Sequence, residues 1–266
     1  MTKTDLPAYE TIVLEMSGQV AILRLDRPDQ LNAMPPAMAD DICAALTRLP
    51  ALGARCLLVT GNGRGFCSGA ELGASGSGDG PADTLQTIRR HYNPMLLALA
   101  QLDIPVVAAV NGAAAGIGCS LALSADFTLA GKSAYFLQAF VNVGLIPDGG
   151  SSWWLPRLIG FPRAMEMMML GERIGAERAA EWGLIHRCVD DGDLAAEAEK
   201  LARRLAAGPT VAYGTLRRIV RAAQSQDIAT VLDAEAVGQS VTARSQDAFE
   251  GVRAFREKRK AVFEGR

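Results

Sequence analysis

The stretch IPVVAAVNGAAAGIGCSLALSADF, residues 104–127, decides which fold this chain is expected to adopt. Its first 22 residues carry no charge, a length that would also suit a membrane-spanning helix. Pro105 and the Asn-Gly pair after the valines instead divide it into a short β-branched strand, a turn and an apolar helix from about Gly116. Acids rather than bases flank the stretch, at Asp103 and Asp126, so we expect a buried strand and helix and no membrane span.

Alternating strands and helices surround this stretch. Four segments have the short, β-branched pattern of strands: TIVLEM (11–16), VAILRLD (20–26), ARCLLVTG (54–61) and DFTLAG (126–131). Apolar residues at helical spacing predict helices between Pro35 and Pro50 and over residues 85–99. The alternation favours an α/β core, and after residue 160 the pattern is helical with almost no strand signal.

The composition of the 266-residue chain favours small-molecule chemistry over nucleic-acid or membrane binding. Its 27 basic and 29 acidic residues give a net charge of -2, which leaves no basic footprint for nucleic acid or anionic lipid. Five cysteines lie scattered without a CxxC pair or a histidine at metal-ligand spacing, so we expect reduced thiols, no metal site and a cytoplasmic protein. The N-terminal MTKTDLPAYE lacks the apolar core of a signal peptide, which agrees with that location.

Two glycine-rich turns have the same design. GRGFCSGAEL (63–72) and NGAAAGIGCSL (111–121) each place small residues after a strand and before an apolar run. Such turns expose backbone N–H groups at a helix N-terminus, where two of them could hold an oxyanion. Neither matches a GxGxxG or GxxxxGK[ST] phosphate loop, and tight packing of strand against helix is the alternative explanation.

Asp148 is the one acid in an uncharged run from Ala134 to Leu155, within GLIPDGGSSWWLPRLIG (144–160). Its neighbours, a proline and two glycines, are typical of a turn. The apolar surroundings allow a second interpretation, in which burial raises the pKa of the carboxyl and makes it a catalytic base. The residues alone leave both interpretations open.

Together these motifs resemble the crotonase superfamily of acyl-CoA enzymes, the enoyl-CoA hydratases and isomerases. The resemblance extends over nearly the whole chain, because LDRPDQLNAM (25–34) and FREKRKAVF (255–263) match its N-terminal and C-terminal signatures. It implies an α/β fold, a spiral of ββα units, over residues 1–200, followed by a C-terminal helical region over 201–266. That helical region would pack subunits into a homotrimer or a dimer of trimers.

The resemblance also implies roles for individual residues. The backbone N–H groups of Ala70 and Ile117 fall on the family's oxyanion hole, and Asp148 falls on the single base of its isomerases. The two catalytic glutamates of the hydratases are replaced by Phe140 and Ser120. We therefore expect an enoyl-CoA isomerase, shifting a double bond or opening a ring, with Asp148 as proton shuttle. An enoyl-CoA hydratase and a non-catalytic acyl-CoA-binding protein are the alternatives.

Coenzyme A enters as part of the substrate, and no metal or redox cofactor is expected. By resemblance, Arg27 and Lys258 are candidates for its phosphates, although the basic run at 258–260 also suits a solvated C-terminal tail. Met34, Ala70, Leu72 and Gly73 are expected to line the groove for its pantetheine and adenine. The glycine-rich segment 73–83 is interpreted as a mobile loop or lid.

Several other polar residues are interpreted as structural. Glu71 is expected to favour a helix dipole, and His91 and His186 to be satisfied histidines without a nucleophile beside them. The pocket around Asp148 is expected to be closed by the apolar side chains of Phe140, Ile146 and Trp153, which would raise the pKa of the Asp148 carboxyl.

Overall fold

Two β-sheets form the centre of the protein. The computed structural model describes residues 8–71 and 82–266, to which all structural statements refer. Its strands, in chain order, are β1 (Ile12–Ser17), β2 (Val20–Leu25), β3 (Cys56–Gly61), β4 (Val106–Val110), β5 (Ala113–Ala115), β6 (Phe127–Gly131), β7 (Tyr135–Leu137), β8 (Ile174–Gly175) and β9 (Arg187–Val189). The larger sheet has the order β1-β2-β3-β4-β6-β9 and the smaller one β5-β7-β8.

Successive turns of the chain contribute one strand to each sheet. After β4, β5 begins the smaller sheet and a helix follows, and β6 with β7 repeats this arrangement. The strands β2, β3, β4, β6 and β9 pair in parallel, as do β5 and β7. A parallel bridge from Cys67 to Ala114 extends the smaller sheet to the chain that follows β3. This is the predicted spiral of ββα units, which the structure confirms.

Helices cover both faces of the larger sheet. The helices of the described residues are α1 (Pro36–Arg48), α2 (Ala82–Thr87), α3 (Asn93–Gln101), α4 (Ile117–Leu123), α5 (Ser151–Leu170), α6 (Ala176–Glu181), α7 (Leu194–Ala206), α8 (Thr210–Ala223), α9 (Ile228–Thr242) and α10 (Gln246–Arg256). A π-helical turn, Ile88–Tyr92, joins α2 to α3. No described helix has both the length and the apolar character needed to cross a membrane.

The core has two layers, because β3 and β4 are buried on both faces. Cys56 and Leu58 of β3 pack with the apolar face of α7, whereas Leu57 and Val59 belong to the cluster that includes α1 and α3. Strands covered on both sides need a continuous apolar run, which is the pattern that CLLVTG and VVAAV have.

The structure corrects the sequence prediction in the C-terminal third. β9 lies beyond residue 160 and adds an edge strand to the larger sheet. Helix α5 begins at Ser151 and is interrupted by the non-helical backbone of Gly160, whose φ is +75° and ψ +162°, so its second part starts next to Pro162. The division at residues 200 and 201 falls inside α7 and stays a prediction. The lid predicted at 73–83 lies largely outside the described residues.

Candidate active site

The Ala70 N–H group has no hydrogen-bond acceptor among the residues that the structure describes. Ala70 forms a parallel bridge with Met34, in which the Met34 N–H donates to Gly69 O (2.8 Å) and Met34 O accepts from the Glu71 N–H (3.1 Å). In a parallel pair of this kind, the residue between the two bonded positions points its own N–H to the other side. No acceptor for the Ala70 N–H is found within the described parts of the chain.

Ile117 supplies a second free N–H group, at the first position of α4. The preceding Gly116 is the N-cap, with φ +51° and ψ −125°, and no side chain caps this end of the helix. The first N–H groups of a helix lack an intrahelical acceptor. That of Ile117 also has no acceptor elsewhere in 8–71 and 82–266, whereas Ser120 N already donates to Gly116 O at 3.1 Å.

The two turns lie against each other. A Cβ on Gly116 would stand 3.7 Å from Cα of Gly69, and one on Gly69 would stand 3.4 Å from Ala115 O. The bridge between Cys67 and Ala114 holds them in this register. Ala70 and Ile117 are far apart in the sequence, but each follows a glycine of one of these two turns. The contact between the turns, called the crossing below, therefore brings the two residues into one region.

Asp148 lies at the same crossing, in the turn before α5. A Cβ on its neighbour Gly149 would be 2.7 Å from Cδ1 of Ile117, so this turn sits directly on the start of α4. Oδ1 of Asp148 is buried and has no hydrogen-bond partner among the described residues. Burial raises the pKa of the Asp148 carboxyl from 3.8 to about 6. A carboxyl with such a pKa can accept and return a proton near neutral pH.

An apolar cavity of 380 Å³ opens beside this turn. It begins at Gly149 and Gly150, follows Leu96 and Leu97 of α3, and reaches Trp154. A cavity of 440 Å³ lies on the other side of Trp153 and Trp154, against α8. Only the first of the two includes the glycines that adjoin Asp148.

Tyr92 is a site residue that the sequence analysis did not single out. It ends the π-helical turn, is buried, and donates its hydroxyl to Met34 O at 2.9 Å. Burial and then the charge of nearby Asp148 raise the pKa of Tyr92 to about 12, so its hydroxyl stays protonated. Tyr92 thereby ties the segment that pairs with Ala70 to the wall of the Asp148 pocket. Tyr92 could not have been found from sequence periodicity, because periodicity does not reveal the π-helical turn that positions it.

Two of the three residues expected to close the pocket lie near it. The Phe140 ring comes within 3.6 Å of a Cβ position on Gly116, and half-buried Trp153 lines the cavity. Ile146 was a wrong prediction, because its side chain is 84% exposed and cannot shield Asp148 in this chain. Burial of Asp148 comes instead from the packing of its turn onto α4 and beside Tyr92.

Arg27 lies next to the Ala70 segment but is already engaged. Its guanidinium donates to both oxygens of Glu71 (2.9 and 3.1 Å) and to Ala33 O (2.8 Å). The hydrogen bond from Arg27 lowers the pKa of Glu71. Glu71 is thus the ion-pair partner of Arg27, and its expected role at a helix start stays a prediction, because the residues that follow it lie outside those described. A CoA phosphate would have to compete with Glu71 for the Arg27 guanidinium.

The remaining candidates for CoA contacts are spread out. Met34 is fully buried, so only its main chain faces the Ala70 segment. Lys258 is exposed after α10, and no hydrogen bond or ion pair within the described residues joins it to Ala70, Ile117 or Asp148. Leu72 and Gly73 lie outside the described residues. Their roles, like that of Arg27, stay predictions.

The two histidines have structural partners. Nδ1 of His91 lies 2.8 Å from the Asp40 carboxylate at the surface. His186 packs edge-on against Phe127, and burial lowers its pKa. All five cysteines are free thiols, and burial raises the pKa of Cys67 and of Cys119 to about 12. These thiols stay protonated and are poor nucleophiles.

The fold and the arrangement of the two turns define a protein of the crotonase superfamily. Comparison with known proteins agrees. The family described as enoyl-CoA hydratase/isomerase matches residues 15–266. A probable enoyl-CoA hydratase of Rhodobacter capsulatus is 45% identical over 262 residues, which is 97% of this chain and 100% of that protein.

Two further relatives give the same result. The 1,2-epoxyphenylacetyl-CoA isomerase of Escherichia coli is 42% identical over 260 residues, covering 97% of this chain and 99% of its own. The crystal structure of an enoyl-CoA hydratase from Polaromonas sp. JS666 superimposes with a TM-score of 0.90 at 33% identity, over 95% of this chain and 99% of that chain. The chain therefore belongs to the enoyl-CoA hydratase/isomerase family and is an acyl-CoA enzyme of that family.

Proposed function

We propose that this protein is an enoyl-CoA isomerase, in which Asp148 moves a proton along an acyl chain whose thioester oxygen is held by the N–H groups of Ala70 and Ile117. One observation carries the proposal: among the described residues, the Asp148 carboxylate has a buried oxygen without a hydrogen-bond partner, and its turn packs on the start of α4, where the Ile117 N–H has no acceptor. One base and one oxyanion site are what a double-bond shift needs. The similarity to 1,2-epoxyphenylacetyl-CoA isomerase of Escherichia coli supports an isomerase, with ring opening as a variant of the same chemistry.

The reaction conserves every atom of the substrate. Asp148 removes a proton next to the thioester carbonyl or at its vinylogous position, and the electron pair of the C–H bond moves into the carbonyl. The resulting enolate oxygen accepts hydrogen bonds from Ala70 and Ile117. Asp148 then returns the proton to a carbon further along the chain and is ionised again. Removing one oxyanion donor of this kind costs on the order of 100- to 1000-fold in rate.

The acyl group belongs, in this proposal, in the 380 Å³ cavity that begins at Gly149. Its lining is mostly apolar, with Asn93 and Arg221 as its polar members, and suits an uncharged acyl chain or ring. The CoA part is assigned to the surface around Arg27, Met34, Ala70, Leu72 and Gly73, with Lys258 as a phosphate contact. This assignment rests on the family resemblance, and no metal or redox group takes part.

A hydratase is the second candidate, because the relative from Rhodobacter capsulatus carries that name. Hydration needs a group that orients and deprotonates water. Ser120 is 1% exposed and Phe140 is apolar, so neither supplies a carboxylate. General acid–base help is worth roughly 100- to 10,000-fold, and we therefore rank hydration second.

A homotrimer, or a dimer of trimers, in the cytoplasm completes the proposal. Large apolar side chains are exposed on α5 and on the last two helices, including Phe161 (68%), Ile228 (72%) and Phe255 (85%). Apolar surface of this extent is typical of subunit contacts. Five free thiols suit a reducing compartment. Light scattering during size-exclusion chromatography tests the assembly, and a monomer at micromolar concentration would contradict it.

The test of function is one assay of the purified protein in deuterated water with a 3-enoyl-CoA and a 2-enoyl-CoA. Mass spectrometry should find isomerised or deuterium-exchanged product without added water. Asp148→Asn removes the base but keeps the size of the side chain, so turnover should fall at least about 100-fold while CoA binding is retained. A hydrated product that survives Asp148→Asn would support the hydratase, and unchanged isomerase turnover would exclude Asp148 as the base.

A further inference from the structure

A hydrogen-bonded chain of three buried polar side chains, on α4, on α5 and directly after β7, reaches the main chain of Asp148. Gln138 is fully buried, and Ser120 and Ser151 are each 1% exposed. Gln138 Nε2 lies 3.0 Å from Ser151 Oγ, and Ser151 Oγ lies 2.8 Å from Ser120 Oγ. Ser120 Oγ in turn lies 3.2 Å from Asp148 O and 3.4 Å from Gly116 O.

The hydrogen atoms in this chain have one consistent direction. The Gln138 amide nitrogen can only donate, so Ser151 accepts from it. A carbonyl oxygen only accepts, so Ser120 donates its single proton to one of its two carbonyl contacts, of which the carbonyl of Asp148 is the nearer. With the Ser120 proton engaged there, Ser151 is the donor between the two hydroxyls, whose geometry allows either oxygen to donate. The chain thus ends as a hydrogen bond to the backbone of the proposed base.

This backbone contact matters because the Asp148 side chain has little else to fix it. Its Oδ1 has no hydrogen-bond partner in the described part of the chain. A carboxylate held by its own hydrogen bonds would be positioned and also made less basic, whereas one held through its carbonyl keeps both oxygens for the substrate. Ser120 also contacts the carbonyl of Gly116, the residue before the Ile117 donor.

We propose that Ser120, supported by Ser151 and Gln138, is a positioning residue that fixes the Asp148 main chain relative to the Ile117 N–H. Ser120 occupies one of the two positions at which the hydratases, by resemblance, carry a glutamate. It acts here through Asp148 and does not itself touch the acyl group. The inference rests on the proposed function, because it gives Ser120 a kinetic role only if Asp148 is the base.

The experiment compares Ser120→Ala with a matched control, Ser124→Ala. Ser124 is a second buried serine at the end of α4, 2% exposed, whose hydroxyl donates to Leu121 O at 2.7 Å and has no contact with Asp148. Both changes remove one buried hydroxyl that is bonded to a main-chain carbonyl. The two variants should therefore lose similar amounts of folding stability. A difference between them in kcat then reports on the position of Asp148.

For Ser120→Ala we expect kcat to fall about 10- to 100-fold with KM within about twofold, because small displacements of a base are costly. The acid limb of the kcat profile should also move to lower pH, since a loosened Asp148 gains water and its pKa falls toward its ordinary value. Ser124→Ala should keep the wild-type kcat and profile. Ser151→Ala removes the middle hydroxyl of the hydrogen-bonded chain, so kcat and the acid limb should change in the same direction but by less.

The outcomes separate this inference from the proposed function. If Asp148→Asn keeps turnover, the proposed function fails. If Asp148→Asn is inactive but Ser120→Ala keeps both kcat and the acid limb, only the positioning role is overturned. Equal kinetic losses in Ser120→Ala and Ser124→Ala would overturn it as well. Should Ser120→Ala not fold, Ser151→Ala decides by the same criteria.

Discussion

A carboxylate that loses hydration without gaining a hydrogen bond destabilises the folded protein whenever it is ionised. Asp148 is in this state through its buried Oδ1. Because its carboxyl pKa is raised from 3.8 to about 6, the folded protein binds a proton that the unfolded chain has released between these values. The proposed base thus reduces stability at neutral pH, as is common for groups kept for catalysis.

Asp148→Asn should therefore stabilise the protein in a pH-dependent way. The gain should be nearly absent at pH 3.5, grow between about 4 and 6, and stay constant above, because the penalty exists only when the folded carboxyl is ionised. A rise of about two pKa units, discounted for the partial exposure of Asp148, corresponds to roughly 1 to 2 kcal/mol in the free energy of unfolding. Urea unfolding of both proteins at pH 4, 5 and 7.5 measures it. A gain of the same size at all three values would contradict the burial of Asp148.

At the scale of the elements, the site depends on turns in which main chains pass very close. The turn Asp148–Gly149–Gly150 lies on the first turn of α4, and Gly149 and Gly150 have φ of +63° and +78°. Left-handed backbone favours glycine, because a Cβ there meets the carbonyl oxygen. At Gly149 a Cβ would additionally be 2.6 Å from that of Ser120. The packing of α5 against α4 is therefore specific to glycine at this position.

Gly149→Ala should cost about 2 to 4 kcal/mol of stability, because strain in the backbone and collision with Ser120 add. Gly144→Ala is the matched control: its φ is +74°, but a Cβ there meets nothing within 4 Å, so only about 1 kcal/mol is expected. Denaturant unfolding of the two variants separates the cost of the left-handed backbone from the cost of the collision with Ser120. Equal losses would mean that α4 and the turn are not in contact.

At the scale of the whole molecule, a buried ion cluster fastens α8 to the sheet. Asp126, just before β6, accepts from Arg217 Nε (2.7 Å) and from Arg221 (3.1 Å) and also from the Val106 N–H (2.8 Å). The side chain of Arg217 is only 6% exposed. Its guanidinium also donates to the carbonyls of Leu99 and Leu102 at the end of α3. One carboxylate thus joins the starts of β4 and β6 to α8.

Asp126→Asn should destabilise the protein by about 3 to 5 kcal/mol, since it leaves a buried guanidinium pair without its counter-charge. Asp103→Asn serves as the control, because its ion pair with Arg218 on the same helix is exposed and should be worth less than about 1 kcal/mol. Thermal or urea unfolding gives both values. A loss for Asp126→Asn no larger than that for Asp103→Asn would show that the cluster does not hold α8.

Much of the fold could be predicted because its signals are local. The strands of the larger sheet between 12 and 131 are short apolar runs, and the glycine turns at 63–72 and 111–121 are visible in residue type alone. β9 could not be predicted, because three residues with the pattern RCV carry no periodicity and become a strand only by pairing with β6. The exposure of Ile146 was missed for a similar reason: an apolar residue does not reveal whether a neighbouring element covers it.

The sequence by itself determined the α/β alternation, the family, the positions of both glycine turns and the isolation of Asp148 in an uncharged run, since these depend on residues within a few positions of one another. Tertiary structure alone decided which contacts these residues make. It leaves Asp148 Oδ1 without a partner among the described residues, joins Arg27 to Glu71, and directs Ser120 to the Asp148 carbonyl. These contacts depend on packing between segments 28 or 44 residues apart, which local patterns do not encode.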